Sequence, residues 1–273
     1  MVRALVTVAY LVGAVLSVAG FYRPRRLKWA AAVVTVGWVS QVIYLVQIGQ
    51  MTKEIPVVSL GPWMAVLVWM IVSVALASVW WAGGRYQALA GFLLPVSAVF
   101  WLVDLALADA AGRLPRSAWL PVHIVAATMA VVALLLAAVF GLMYTEKERE
   151  LRLKSVDVFY YRLPALQEMD HWSVRFAAIG LGLWILALVA GQLSARAGVH
   201  PLMVSHLAAA WSVLTAAMYG LYFVMRGRFG WRGRPAAVMV MVLFLFVVIN
   251  LLALHLHWSP LRAYNLPKRS GGG

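Results

Sequence analysis

The sequence predicts an all-α integral membrane protein, a bundle of about eight transmembrane helices with both termini outside. Three observations carry this. The chain of 273 residues is 64% hydrophobic and only 12% charged, whereas soluble globular chains run about 45–50% apolar and about 25% charged. Its mean hydropathy is +0.88. The apolar residues fall into eight stretches, each close to the roughly 20 residues that a helix needs to cross a bilayer core. A water-facing domain of this size cannot hide so much apolar surface. That excludes a cytosolic enzyme, a disordered chain and, despite a net charge of +14, a nucleic-acid-binding domain. No stretch alternates with period two over about ten residues, as a membrane β-barrel would require. The absence of cysteine excludes a disulfide scaffold, a thiol redox motif, a thiolate metal site and covalent haem attachment to this chain. Any cofactor must be held by His, Met, Asp or Asn.

The first stretch, 2–20, has no small-residue cleavage site followed by a soluble body, so it reads as a retained span. The second, 29–49, follows a loop bearing Arg23, Arg25, Arg26 and Lys28. The third, 62–82, closes on Trp80-Trp81, and the fourth, 86–108, carries Asp104 near its end. The fifth, 118–144, opens on Pro121-Val122-His123. A long connection, 145–173, begins Thr145-Glu146-Lys147-Glu148-Arg149-Glu150, a run that can extend the fifth helix into water through i,i+3 and i,i+4 pairs. The sixth, seventh and eighth stretches are 174–195, 202–225 and 235–257. Together residues 1–269 read as one transmembrane domain, and Ser270-Gly271-Gly272-Gly273 as a linker or tag remnant.

Loop charge sets the orientation. Of the 23 Lys and Arg, 14 lie in the connections after the first, third, fifth and seventh helices, and eight lie on the opposite side. Positive loops stay cytoplasmic, so both termini and His123 should lie outside, and 145–173 inside.

Ionisable residues at membrane depth are costly and mark candidate sites. Asp104 lies near the outer end of the fourth helix. His123 is about 7 Å below the outer end of the fifth, and His206 about 6 Å below that of the seventh, at ~1.5 Å per residue. His255 and His257 end the eighth, and His200 lies in an outer loop, so only His171 among the six histidines is cytoplasmic. Neutral imidazole is a common ligand for haem or metal. His255 and His257 point about 200° apart on a helix, whereas Asn250 and His257 share a face. Three histidines with Asp104 could instead make a tetrahedral zinc site. However, no HxxxH pair sits on one helix, and the many Trp, Tyr, Phe and Met residues suit a large flat apolar cofactor. Trp63, Trp119 and Trp258 fit an interfacial belt, while Trp101 and Trp211 lie deeper. Arg113, Arg116, Arg196 and Arg262, on the outer side, could pair with haem propionates.

Several segments, in order, resemble the cytochrome c assembly protein family of membrane haem-handling proteins, in its HemX-like and CcsA-like branch. They are Pro121-Val122-His123, Leu163-Pro164-Ala165-Leu166 followed by Arg175-Phe176, and Trp211-Ser212-Val213-Leu214-Thr215 with Tyr219. Gly230-Trp231-Arg232-Gly233-Arg234 and Asn250-Leu251-Leu252 ending at His257 complete the set. The likeness covers most of the chain and is strongest from about residue 118. The family's WxWDPKE segment is missing. His206 stands where its Asp would be, in the run from His200 to Trp211.

The resemblance implies a non-enzymatic membrane haem-binding protein, at most one subunit of a haem lyase or transfer system. It would bind, translocate or present haem on the outer face for c-type cytochrome assembly. A b-type, non-covalent haem would have His123 and His257 as axial ligands. His206, Asn250, Trp211 and Asp104 are the further candidates for its pocket. The expected partners are haem, membrane lipid, a membrane subunit of a cytochrome c assembly system and apocytochrome c, with no nucleic acid, in the plasma membrane. Two other readings stay open. One is a HemX-like regulator or scaffold of haem biosynthesis working through 145–173. The other is a haem- or quinone-linked subunit of a respiratory complex. A topology reporter fused after Arg152 should read cytoplasmic and one fused after Pro267 external; the reverse pattern would put the histidines on the cytoplasmic side.

Overall fold

The structure, a computed structural model, describes residues 2–52, 63–82, 84, 86–107, 118–154, 161–196 and 206–257. These form eight long helices: α1 Val2–Gly20, α2 Pro24–Thr52, α3 Trp63–Trp80, α4 Ala88–Leu107, α5 Trp119–Leu153, α6 Leu166–Arg196, α7 His206–Arg228 and α8 Arg234–His257. No strand occurs among the described residues. Seven of the helices are long and apolar enough to cross a membrane, and the protein is a multi-pass helical membrane protein. The remaining helix, α7, has 23 residues, about 34 Å at ~1.5 Å per residue. It too has the length to span.

Several helices overrun their apolar stretches. α2 starts at Pro24, whose fixed φ and missing N–H suit a first helical turn. α5 continues through the charged run to Leu153, where Lys154 turns left-handed at φ 51° and its N–H caps the Leu151 carbonyl. Glu148 and Arg152 pair at 2.7 Å on this exposed extension, a contact of at most about 1 kcal/mol. Lys147 Nζ donates to the Leu163 and Pro164 carbonyls at 2.9 and 2.7 Å and so folds the connection back onto α5. Burial lowers the Lys147 pKa, with the Glu150 charge acting against it.

The bundle has two halves. α1 packs on α2 and α4, and α3 on α4 and α2; α5 packs on α6 and α8, and α7 on α8 and α6. α5 also meets α3 and α4, and its run from Val131 to Gly141 is buried without a break. Glycines allow the closest approaches. A Cβ at Gly180 would lie 2.4 Å from Leu134 Cδ2, and one at Gly141 would lie 3.0 Å from the Ala237 carbonyl oxygen. Small residues at such crossings are the usual means by which membrane helices approach. Outward faces are apolar, as at Val15, Val99 and Ile179.

All eight helices alternate in direction, so the start of α1 and the end of α8 lie at the end bearing His123, here called the histidine end. The opposite, basic end holds Arg23, Arg25, Arg26, Lys28 and Arg232. Exposed aromatics ring both ends: Trp119 at the first, and Tyr22, Trp29, Trp80 and Trp81 at the second. At the basic end Trp172 Nε1 donates to the Tyr86 hydroxyl at 3.1 Å, and that hydroxyl donates to Glu168, which ties the two halves together. Arg226 grips Asp170 with two bonds of 3.0 and 2.5 Å, joining α7 to α6.

The Ala237 oxygen is backbone and cannot move aside as a side chain can. Gly141→Val should therefore lower stability in detergent by about 1–3 kcal/mol. A Cβ at Gly220 meets nothing within 4 Å, so Gly220→Val should cost much less. Equal losses in thermal unfolding would contradict the α5–α8 packing.

Candidate functional site

The site is built from α5 to α8 at the histidine end. α5 opens at Trp119 with no side-chain cap, and Pro121 sits in its first turn, where a backbone N–H would lack an intrahelical partner in any case. His123 follows, half-buried against α6. Its Nδ1 lies 2.6 Å from the Ala187 carbonyl oxygen. A carbonyl only accepts, so Nδ1 carries a proton, and in the neutral ring Nε2 is left with a bare lone pair. Gly191, one turn along α6, makes room for the ring. A Cβ there would lie 2.9 Å from Nδ1 and 3.2 Å from Cε1.

One turn below Ala187, the buried Trp184 donates from Nε1 to the Ser212 carbonyl of α7 at 3.0 Å. Ser212 Oγ accepts from Asn250 Nδ2 of α8 at 3.1 Å, and Asn250 is buried. Trp211 Nε1 donates to the Phe246 carbonyl at 3.2 Å, and the two rings stack at 5.6 Å between centroids. Polar contacts thus run His123–α6–Ser212–Asn250 through all four helices of this half. Each polar group is satisfied by a neighbouring helix, as a low-dielectric interior demands.

The structure brings His123, Trp211 and Asn250 into this one layer. His206 opens α7 and His257 closes α8; their side chains, like that of His255, lie outside the described residues, as does all of His200. By helical rise His257 is about 10 Å beyond Asn250 toward the histidine end, and His206 about 9 Å beyond Ser212. Asp104 belongs to a different network, in the first half. It is buried and feels the charge of Arg3. Arg3 donates to the Tyr44 hydroxyl from Nε at 2.8 Å. Trp101, on the same helix as Asp104, donates to Thr7 Oγ1 at 2.9 Å. Among the described residues no group of three His, Cys, Asp or Glu side chains could hold a metal ion.

Trp184, the Ala187 carbonyl and Gly191 of α6, and Phe246 of α8, were not singled out in the sequence. A signal for the α6 pair exists, because Gly180, Ala187, Gly191 and Ser194 repeat at helical spacing as a strip of small residues. The Arg3–Asp104 neighbourhood joins positions far apart in the chain, and no local pattern announces it.

Selective ¹⁵N labelling of histidine should show the His123 ring fixed in its Nδ1–H form. Gly191→Ala should release that tautomer, and an unchanged spectrum would mean that Gly191 does not position the ring.

A family model described as Cytochrome C assembly protein matches residues 27–259. No curated protein and no solved structure matches.

Proposed function

The chain belongs to the cytochrome c assembly protein family, and we propose that it holds a haem where α5 to α8 converge at the histidine end. Family membership gives it a role in c-type cytochrome biogenesis. The finer reading is a b-type, non-covalent haem with His123 and His257 as axial ligands, presented outside the plasma membrane. Trp211 and Asn250 line the surroundings, and His206 and Asp104 are the further candidates of this reading.

One observation carries this. The Ala187 carbonyl holds the Nδ1 proton of His123, which leaves Nε2 of the neutral ring with a bare lone pair. Metal-ligating histidines commonly donate their other ring N–H in this way, which fixes the tautomer and raises ligand basicity. The residues present therefore fit the group. When bound, haem supplies an iron that takes neutral imidazole nitrogen axially. Gly191 and Ala187 orient the first ligand. Asn250 shares a helix face with His257, and Ser212 holds Asn250 in place. The Trp211–Phe246 stack adds flat apolar surface beside Asn250. The positive-inside rule places this end outside, where an apocytochrome would receive the haem. The chain has no cysteine, so the thiols for attachment come from the apocytochrome and the joining chemistry from a partner subunit.

The test is the optical spectrum of purified protein with His123→Ala, His257→Ala, His206→Ala, His255→Ala and His171→Ala. The first two variants should each convert a low-spin spectrum to a high-spin one or empty the site, and the last two should leave it unchanged. Loss of the low-spin spectrum in His206→Ala, with His123→Ala intact, would move the ligation to α7. A wild-type protein that takes up no haem would favour a regulator acting through residues 145–173.

A further inference from the structure

At the basic end, opposite His123, a cleft opens between the end of α1, the start of α2 and the start of α4. It is open to solvent and is lined by Ser17, Gly20, Gly84, Gln87, Gly91 and Arg162, among others. Arg162 is the unusual member. It comes from the other half of the molecule, on the connection between α5 and α6, and reaches over the first half. It is half-buried and has no hydrogen bond or ion pair to a described residue. Nearby cations at the end of α5 behave differently: Arg152 pairs with Glu148, and Lys147 is bonded to two carbonyls. Among the described residues no acidic side chain lines the cleft. A half-buried guanidinium facing a cleft without a carboxylate is a site for an anion, and its planar fork suits the two oxygens of a phosphate.

The surroundings identify the source of that phosphate. Arg23, Arg25, Arg26 and Lys28 are all exposed on the turn and first helical residues beside the cleft. Tyr22, Trp29, Trp80 and Trp81 are exposed at the same end, from 51% to 84%. Aromatic girdles of this kind sit at headgroup level. The cleft therefore opens at the depth of the headgroups, on the face that the positive-inside rule puts in the cytoplasm. Basic pockets between helices on that face suit anionic lipid headgroups.

We propose that this cleft binds the phosphate headgroup of an anionic lipid of the cytoplasmic leaflet, with Arg162 as the cation that reaches it and the α1–α2 basic turn as its rim. Because Arg162 belongs to the second half and the rest of the lining to the first, a bound headgroup bridges the two halves beside the Tyr86–Trp172–Glu168 contact. Lipid binding should accordingly stabilise the assembled bundle, as any ligand selective for the folded state does.

The experiment is thermal unfolding of the full chain in neutral detergent, titrated separately with phosphatidylglycerol, phosphatidylcholine and inorganic phosphate. Phosphatidylglycerol should raise the midpoint saturably, and the other two should not at matched concentration. Arg162→Gln should weaken the apparent affinity about tenfold, the scale of one lost charge-assisted bond. Gly84→Asp is the second variant. A Cβ at Gly84 meets nothing within 4 Å, so the carboxylate enters the cleft without a clash and should weaken binding to a similar degree. Arg232→Gln, an exposed cation on the α7–α8 turn, should leave the affinity unchanged. Full stabilisation by inorganic phosphate alone would reassign the cleft to soluble phosphate and overturn the lipid proposal. Equal stabilisation by phosphatidylcholine, normal affinity in both cleft variants, or an equal loss in Arg232→Gln would also overturn it.

Discussion

A polar atom inside hydrocarbon has no water to bond, so it must find its partner within the protein. In this chain the partner is repeatedly a backbone carbonyl of a neighbouring helix. Gln41 donates to Ala65, Ser173 to Ala137, His123 to Ala187, Trp184 to Ser212 and Trp211 to Phe246. Each carbonyl has a second lone pair to offer beyond its own helical bond. The contacts therefore join helices without unwinding either one. They also fix rotation about the helix axis, which apolar packing alone leaves loosely specified.

The two halves use this rule differently. In the first half, Tyr10, Gln41 and the Ala65 carbonyl link α1, α2 and α3, and Trp101 links α4 to α1. Arg3, bonded to the Tyr44 hydroxyl, lies near enough to the buried Asp104 for its charge to act there. In the second half the polar chain ends on an imidazole whose second nitrogen is not used for packing. α5 stands between the halves and is buried along most of its membrane length, so its rotation is constrained from several sides. That constraint is passed to His123, because a helix held by α3, α4, α6 and α8 cannot turn its side chain away without disturbing all of them.

Much of this was legible in the sequence. Apolar length gave the helices, because the bilayer imposes a length on each of them. Loop arginines give each helix an expected sense, because translocation discriminates by charge. Helix ends were less legible: α5 runs on to Leu153 and α6 starts at Leu166, since charged helix is stable in water and hydropathy does not mark where it stops. Asp104 was read with the histidines because both lie near one membrane surface. Depth can be read along a single helix, but lateral position depends on which helices touch, and that is a property of non-local packing.

The small residues of α6 show how packing and ligation become one problem. Gly180 lets Leu134 of α5 approach, and Gly191, three turns further on, leaves room for His123 of the same helix. The distance between α5 and α6 is therefore set by the contacts that also place the imidazole beside the Ala187 carbonyl. Widening the crossing would lengthen that bond and free the tautomer, while tightening it would press the ring into α6. A ligand held in this manner needs no dedicated acidic partner to orient it, which is consistent with a chain that has few carboxylates and that lacks the acidic position of the Trp-rich segment before Trp211. In such an arrangement the direction of the imidazole depends on the whole length of the α5–α6 interface, and the tolerance of the site to mutation follows the tolerance of that interface.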